Sequence, residues 1–335
     1  MKITVIGPTS AGNLGLCEVL QRKGVDHHII PWKHEEKFFK KPLLTALDLW
    51  HIQTSDVVTL FGTWNSNNHN RKWHPVTNTR RQAFVNETNG FFVGIAKMYN
   101  VPVLCFETAT LSRIRQTISG RTHWKDENPK YYRMGLNHWT YDKATFLKPT
   151  RDRLEKFIET NAQYPDMHQQ LLGHRWRNNR QGKICIFVGL ENDPTSTMPG
   201  SQFVKTSVEK IRQYTDREIV IKPHPLSQFH PDGYNVLSNK MTIKKLSQML
   251  YCAVLDNSTS IFELTYMGIP CFTTKANFGY KLGNNDLTKI NDIYYETPEK
   301  MREWYNEMAN TEFLVYEFRE DTILDYIEEM LNDNT

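Results

Sequence analysis

The chain has 335 residues, 39% of them hydrophobic and 23% charged, with a formal net charge of +4. That length suits two domains of ordinary size, each able to bury its own core. The composition is that of a globular protein, and no apolar run approaches the roughly 18 residues needed to cross a bilayer, so no membrane span is expected.

The opening Met1-Lys2-Ile3-Thr4-Val5-Ile6-Gly7 runs from one charge through a short apolar stretch into Gly7-Pro8. It reads as a first strand rather than a signal peptide, and a cytoplasmic location is expected. After it, 7–15 is a small-residue loop leading to a helix over 16–23. A glycine-rich turn of this kind lets a ligand approach the backbone, which makes Gly12 a candidate donor contact, although a tight turn without ligand uses the same residues. It is not a dinucleotide fingerprint, because the GxGxxG spacing is missing.

Strands are expected at 28–30 and 57–62, followed by a polar stretch to Arg81 that contains Trp64, Arg71 and Lys72. A helix over 82–99 and a strand over 101–106 come next, and that strand delivers Glu107 to its carboxyl edge. A lone carboxylate there is a candidate general base, and equally an N-cap or a partner for Arg113 or Arg115. Residues 118–150 are polar and aromatic, with Arg133, His138 and Trp139 among them, and read as a large loop. Rings among cations suit nucleobases, and they also serve to fold a loop onto its domain.

Residues 1–150 hold 20 Lys and Arg against 11 Asp and Glu, whereas the remainder holds 21 against 26. A basic first lobe suits a polyanion such as DNA, and it also describes a solvated basic face with no partner. The five cysteines are widely spaced and mostly sit in apolar runs, so reduced core thiols are expected. The histidines show no HExxH spacing and the chain has no CxxC, so no metal site is expected.

A charged helical stretch over 151–180 is the expected interdomain connection. A second α/β unit opens with a strand over 183–190 and a loop holding Glu191, then a helix over 201–215 and a strand over 219–221. That strand ends in Lys222-Pro223-His224-Pro225. A helix over 243–251, a strand over 252–255 and the turn Asp256-Asn257-Ser258-Thr259-Ser260 follow, the turn capping a helix that carries Glu263. A short strand at 271–273 and an amphipathic helix over 320–332 complete the pattern. Two β-branched runs that end in polar residues deliver two loops to one sheet edge, where open α/β sheets bind ligands, and their residues suit a phosphate-bearing ligand.

Lys222-Pro223-His224-Pro225 resembles the His-Pro motif, and Ser258-Thr259 the Ser-Ser/Thr motif, of the bacterial sialyltransferase and capsule Kdo-transferase group of GT-B glycosyltransferases. The 189–196 loop is similar to that group's domain-opening loop, and Phe262-Glu263 to Gly268-Ile269-Pro270 to its helix-Gly-x-Pro stretch. The resemblance covers about residues 184–275. It implies an α/β chain of two Rossmann-like domains facing a central cleft, an acceptor domain at 1–165 and a donor domain at 180–319, with a helix at 320–335 crossing back.

The implied activity is transfer of a sugar from a UDP- or CMP-linked donor to a hydroxyl, inverting and without an obligatory metal or other cofactor. The resemblance places His224, Ser258 and Thr259 near the donor phosphate, and together with the loops read above the expected donor contacts are Gly12, Glu191, Lys222, His224, Pro225, Asn257, Ser258, Thr259 and Glu263. His224 and Glu107 are the implied catalytic pair. The group's acid lies in an Asp/Glu-Asp/Glu-Gly motif, of which Glu107-Thr108-Ala109 keeps one acid and lacks the glycine. The first half resembles, in style, phage glycosyltransferases that decorate hydroxymethylated pyrimidines in DNA. On that resemblance DNA is the expected partner, contacted by Trp64, Arg71, Lys72, Arg113, Arg115, Arg133 and His138. A glycan acceptor is the alternative, and a non-catalytic nucleic-acid-binding protein is the alternative of another class.

Overall fold

A computed structural model describes residues 1–7, 11–31, 44–62, 80–109, 111, 114, 131–149, 151–163, 165–189, 191, 196–225, 227 and 231–333. Two open sheets organise the chain. The first contains β1 (Lys2–Ile6), β2 (Asp26–Ile30), β3 (Val57–Phe61), β4 (Val103–Thr108), β5 (Tyr131–Leu136) and β11 (Glu312–Leu314), in the order β11-β5-β4-β3-β1-β2. The strands β1 to β4 run parallel, whereas β5 is antiparallel to both β4 and β11. Helices α1 (Ala11–Lys23), α2 (Ala46–Gln53) and α3 (Arg80–Met98) belong to this unit.

The second sheet is wholly parallel: β6 (Lys183–Val188), β7 (Ile219–Pro223), β8 (Asn235–Val236), β9 (Leu250–Leu255) and β10 (Cys271–Phe272), in the order β10-β9-β6-β7-β8. Every residue of β7 and β9 is buried, as expected of strands covered on both faces. Helices α4 (Arg151–Thr160) and α5 (Pro165–Leu172) connect the two units, and α6 (Gly200–Arg212), α7 (Ile243–Leu246), α8 (Ser260–Tyr266) and α9 (Pro298–Ala309) follow. In α9, Thr297 caps the first turn, Pro298 occupies a position that tolerates it, and Met301, Trp304, Tyr305 and Met308 form the buried stripe.

The last segment returns to the first unit. Glu312, Phe313 and Leu314 pair with Arg133, Tyr132 and Tyr131, and α10 (Thr322–Asn332) buries Ile323, Ile327 and Met330 in the core beside β1 and α1. The return therefore begins at β11, before the crossing expected at 320. Gly12 and Gly15 explain how closely α1 docks there. A Cβ on Gly12 would lie 3.2 Å from the Tyr132 ring, and one on Gly15 would lie 3.1 Å from the Phe318 carbonyl oxygen.

Two further expectations are corrected. Residues 131–136, expected within a loop, are β5, an interior strand held on both sides. The helix expected over 243–251 ends at Leu246, because Leu250 and Tyr251 already belong to β9. One apolar cluster runs through both units and joins Leu111, Ile114 and Tyr131 of the first to Ile261, Phe262 and Phe278 of the second.

Candidate functional site

In the second sheet, the chain passes from β6 to β7 and β8 on one side, then returns to place β9 on the other side of β6. The loops after β6 and β9 therefore diverge from one point, where open α/β sheets form a ligand crevice beyond their carboxyl ends. The β7 loop flanks the same point. Three loops thus leave the same edge: 196–199 after β6, 224–225 after β7 and 256–259 after β9.

The Asp256 carboxylate fastens two of them. It accepts the backbone N–H and the hydroxyl of Thr197, both at 2.6 Å, and the Thr274 hydroxyl at 3.3 Å. Burial raises the Asp256 pKa, and the Thr197 hydrogen bonds act against that rise. Gly200 allows α6 to start against the strand, since a Cβ there would meet Val188 Cγ1 at 3.0 Å. The Glu191 carboxylate accepts from the Ser201 backbone N–H at 2.8 Å and also from the Ser201 hydroxyl. The Glu191 carboxylate therefore caps the first turn of α6 from the preceding loop, satisfying a donor that the helix leaves unpaired.

At the β7 edge, Lys222 is 5% exposed, and its ammonium donates to the Pro223 and Asn239 carbonyls, both at 2.9 Å. Burial lowers its pKa. Two of its three N–H bonds are thus spent on shaping the turn. The turn is also held by the His224 N–H donating to the Val188 carbonyl at 3.0 Å and the Ser227 N–H donating to the His224 carbonyl at 2.8 Å. His224 itself is half-buried, and Pro225 is exposed.

At the β9 edge, Asn257, Ser258, Thr259 and Ser260 are half-buried. Ser258 Oγ accepts from the Ser260 N–H at 3.3 Å, whereas Thr259, the N-cap of α8, makes no side-chain cap bond. Glu263 lies in the first turn of α8 and is half-buried. The turn is braced from below by Asn277, 1% exposed, whose amide donates to the Asp256 carbonyl at 2.9 Å and the Ser258 carbonyl at 3.2 Å.

The first unit contributes Glu107, half-buried near the end of β4. It lies opposite Arg133 in the β4–β5 register, and Arg133 lies opposite Glu312 in the β5–β11 register. Residues directly opposite in antiparallel pairs share a face, so the three form one cross-strand row. Arg133 is 6% exposed; its guanidinium donates to the Trp139 carbonyl at 3.0 Å and stacks 4.1 Å from the centroid of the Phe278 ring. Glu107 thus sits beside the residue that joins its sheet to the 273–279 loop.

The remaining sequence candidates are dispersed. Gly12 faces Tyr132 and Phe318 in close packing. His138 is 6% exposed and lines a groove of about 930 Å³ with Asp56, Pro102 and Asn137, at the edge where the strands of the first sheet begin. That groove is at the opposite edge of the sheet from Glu107. Trp64, Arg71, Lys72, Arg113 and Arg115 lie outside the described residues.

Thr197, Asn277 and Phe278 are structural members of the site that were not among the residues singled out by sequence, and Asp256, read there as part of a helix-capping turn, is the residue that links two of the loops. Their signal is the polar run after a buried strand, which 273–277 shares with the two loops that were recognised. The five cysteines are unpaired, and four of them are buried. Among the described residues, no group of three or more His, Cys, Asp and Glu side chains is placed to hold a metal, and no helix is long and apolar enough to cross a membrane.

Neither a family model nor a curated protein matches the chain. Solved structures do. KpsC of Thermosulfurimonas dismutans, described as a beta Kdo 2,4 transferase, is similar with a TM-score of 0.50 at 10% identity, over 99% of this chain and 98% of that one. A T. dismutans KpsC described as a beta Kdo 2,7 transferase gives 0.49 at 13% identity over 100% of both chains. The calicheamicin glycosyltransferase CalG4 gives 0.27 at 10% identity over 100% of this chain and 99% of that one. The first likeness establishes the fold, which is that of the GT-B glycosyltransferases, with two Rossmann-like domains.

Proposed function

We propose that the protein transfers a sugar from a nucleotide-sugar to an acceptor hydroxyl, with the donor phosphate at the loops that converge beyond β6, β7 and β9. The observation that carries this reading is the placement of His224 and the Ser258-Thr259 turn on the two strands that flank β6, at the switch point of a parallel sheet. As the glycosidic bond breaks, negative charge grows on the leaving phosphate. His224 and the hydroxyls of Ser258 and Thr259 stabilise it there. Lys222 acts through the loop it holds, because its ammonium is engaged with backbone carbonyls. Glu107 takes the acceptor proton, and attack from the face opposite the leaving group inverts the anomeric centre without a metal.

The acceptor follows from the hydroxyl that Glu107 addresses. A hydroxymethylated DNA base fits the basic first half of the sequence, but Arg133 and His138, two of the seven residues assigned to DNA, are buried. A glycan acceptor is the second reading. It is favoured by a fold that matches, along nearly its whole length, a chain described as a Kdo transferase. Release of free sugar from UDP-glucose or CMP-sialic acid by the purified protein tests the donor half of the proposal and separates an enzyme from a non-catalytic binder. DNA binding that weakens steeply with salt supports the DNA acceptor, and no binding at low salt rejects it.

A further inference from the structure

The 273–279 loop after β10 makes two sets of contacts that meet in consecutive residues. Asn277 faces the second domain. Its amide donates to the Asp256 and Ser258 carbonyls, and its side-chain oxygen accepts from the Gly279 N–H at 2.9 Å. The Thr273 hydroxyl adds a second donor to the Asp256 carbonyl at 2.9 Å. The backbone of the Ser258 turn is thereby held by this loop as well as by its own short helix, whose Ile261 N–H donates to the Ser258 carbonyl at 3.3 Å.

Phe278 faces the other way. It is 4% exposed, with the Arg133 guanidinium on its ring and the rings of Tyr141 and Phe146 at centroid distances of 5.7 Å and 5.5 Å. The Tyr141 N–H donates to the Ala276 carbonyl at 3.2 Å, and Trp304 Nε1 donates to the Phe278 carbonyl at 2.9 Å. Arg133 in turn lies opposite Glu107 across the β4–β5 pair. One loop of seven residues therefore touches both the turn that takes the donor phosphate and the neighbour of the acid.

We infer that Asn277 and Phe278 are positioning residues for the transfer: Asn277 fixes the Ser258-Thr259 turn, and Phe278, seated on Arg133, fixes that turn relative to Glu107. The inference rests on the donor site proposed above. Arg133 acts on this view through Phe278 and touches neither substrate. The two contacts have separable consequences. Loss of the Asn277 amide lets the phosphate turn relax, which weakens donor binding in the ground state. Loss of the Phe278 ring leaves the turn intact but misplaces it against the acid, and a misplacement of about 1 Å costs on the order of 100-fold in rate.

The experiment measures binding of UDP and CMP by calorimetry and hydrolysis of UDP-glucose and CMP-sialic acid, in wild type and three variants. Asn277→Ser is expected to raise the Kd of the nucleotide that wild type binds by about tenfold, the loss of a pair of hydrogen bonds that position the turn. Phe278→Leu, which keeps the site apolar, is expected to lower kcat by about 100-fold with Kd within about twofold of wild type. Phe278→Tyr, which restores the ring face, is expected to recover most of that loss. If Phe278→Leu does not fold, Arg133→Gln removes the cation from the ring and must give the same split between kcat and Kd. A folded Phe278→Leu or Arg133→Gln with wild-type kcat overturns the inference, as does a parallel change in Kd and kcat. If wild type neither binds a nucleotide nor hydrolyses a donor, the donor site itself is refuted and the inference falls with it.

Discussion

Asp256 accepts both the backbone N–H and the hydroxyl of Thr197 at 2.6 Å, and so ties the loop after β9 to the loop after β6 at the point where the second sheet changes direction. Asp256→Asn replaces an acceptor-only carboxylate by an amide that can accept only one of these donors with its oxygen. A charge-assisted hydrogen bond contributes about 1.5–3 kcal/mol, so a loss of about 2 kcal/mol in unfolding free energy is expected. Urea denaturation of the two proteins measures it. Unchanged stability would show that the link is incidental.

Arg153 and Glu317 form a buried ion pair between the connecting helices and the returning C-terminal segment. The side chains are 8% and 2% exposed, with Nη1 3.0 Å from the carboxylate, and Lys156 reaches the same carboxylate at 3.0 Å. Burial pushes the Glu317 carboxyl up, but its hydrogen bonds with Arg153 and the guanidinium charge reverse this and hold it below the usual range. Arg153→Met strips the main partner from a buried carboxylate and is expected to cost about 3–5 kcal/mol. Adding Glu317→Gln keeps an acceptor for the Leu314 N–H and removes the stranded charge, so the double variant is expected to melt above the single one.

Stability is expected to fall on mild acidification. Burial pushes the pKa of both His138 and His174 from 6.5 down to about 4. In the unfolded chain each binds a proton near pH 6.5, whereas the folded chain binds it only near pH 4, so the unfolded state is favoured as the pH drops through that window. Each histidine contributes a slope of up to about 1.4 kcal/mol per pH unit, on the order of 3 kcal/mol across the window. Urea denaturation at intervals between pH 7 and pH 4.5 measures the slope. His174→Gln is expected to flatten it by one histidine's share, whatever its effect on stability at pH 7.

The parallel strands were legible because burial on both faces leaves continuous apolar runs, β-branched in β6 and β7 and of mixed apolar residues in β9. The loops at their ends were legible for the same reason, since polar residues begin where burial stops. The strand β5 was not. It carries Arg133 in its middle, and the groups that make that burial tolerable, Trp139 and Phe278, are a carbonyl around the next turn and a ring 145 residues away. The three residues of β11 are too short for a period to show. Helix α9 did carry readable signals, a Thr-Pro start and an apolar stripe, and would have completed the second domain. Asn277 sits in a polar run that marks a strand end, but its role is not readable there, because it is defined by carbonyls 19 and 21 residues earlier in the chain.

Glu107→Gln keeps the shape of the side chain and removes its basicity. If Glu107 takes the acceptor proton, transfer is expected to fall by about 10²–10⁴-fold while nucleotide affinity is unchanged. Steady-state transfer and nucleotide calorimetry on the same protein separate the two effects. A variant that transfers normally would place the base elsewhere.

The donor site is tested most directly by calorimetric titration of UDP and CMP into wild type and His224→Ala. Wild type is expected to bind one of the two. His224→Ala is expected to bind it at least about tenfold more weakly, the loss of a charge-stabilising contact to phosphate, with the fold preserved because the His224 backbone bonds to Val188 and Ser227 do not depend on the ring. Wild type that binds neither nucleotide, or a folded His224→Ala that binds as tightly as wild type, would contradict a donor phosphate at the β6, β7 and β9 edge.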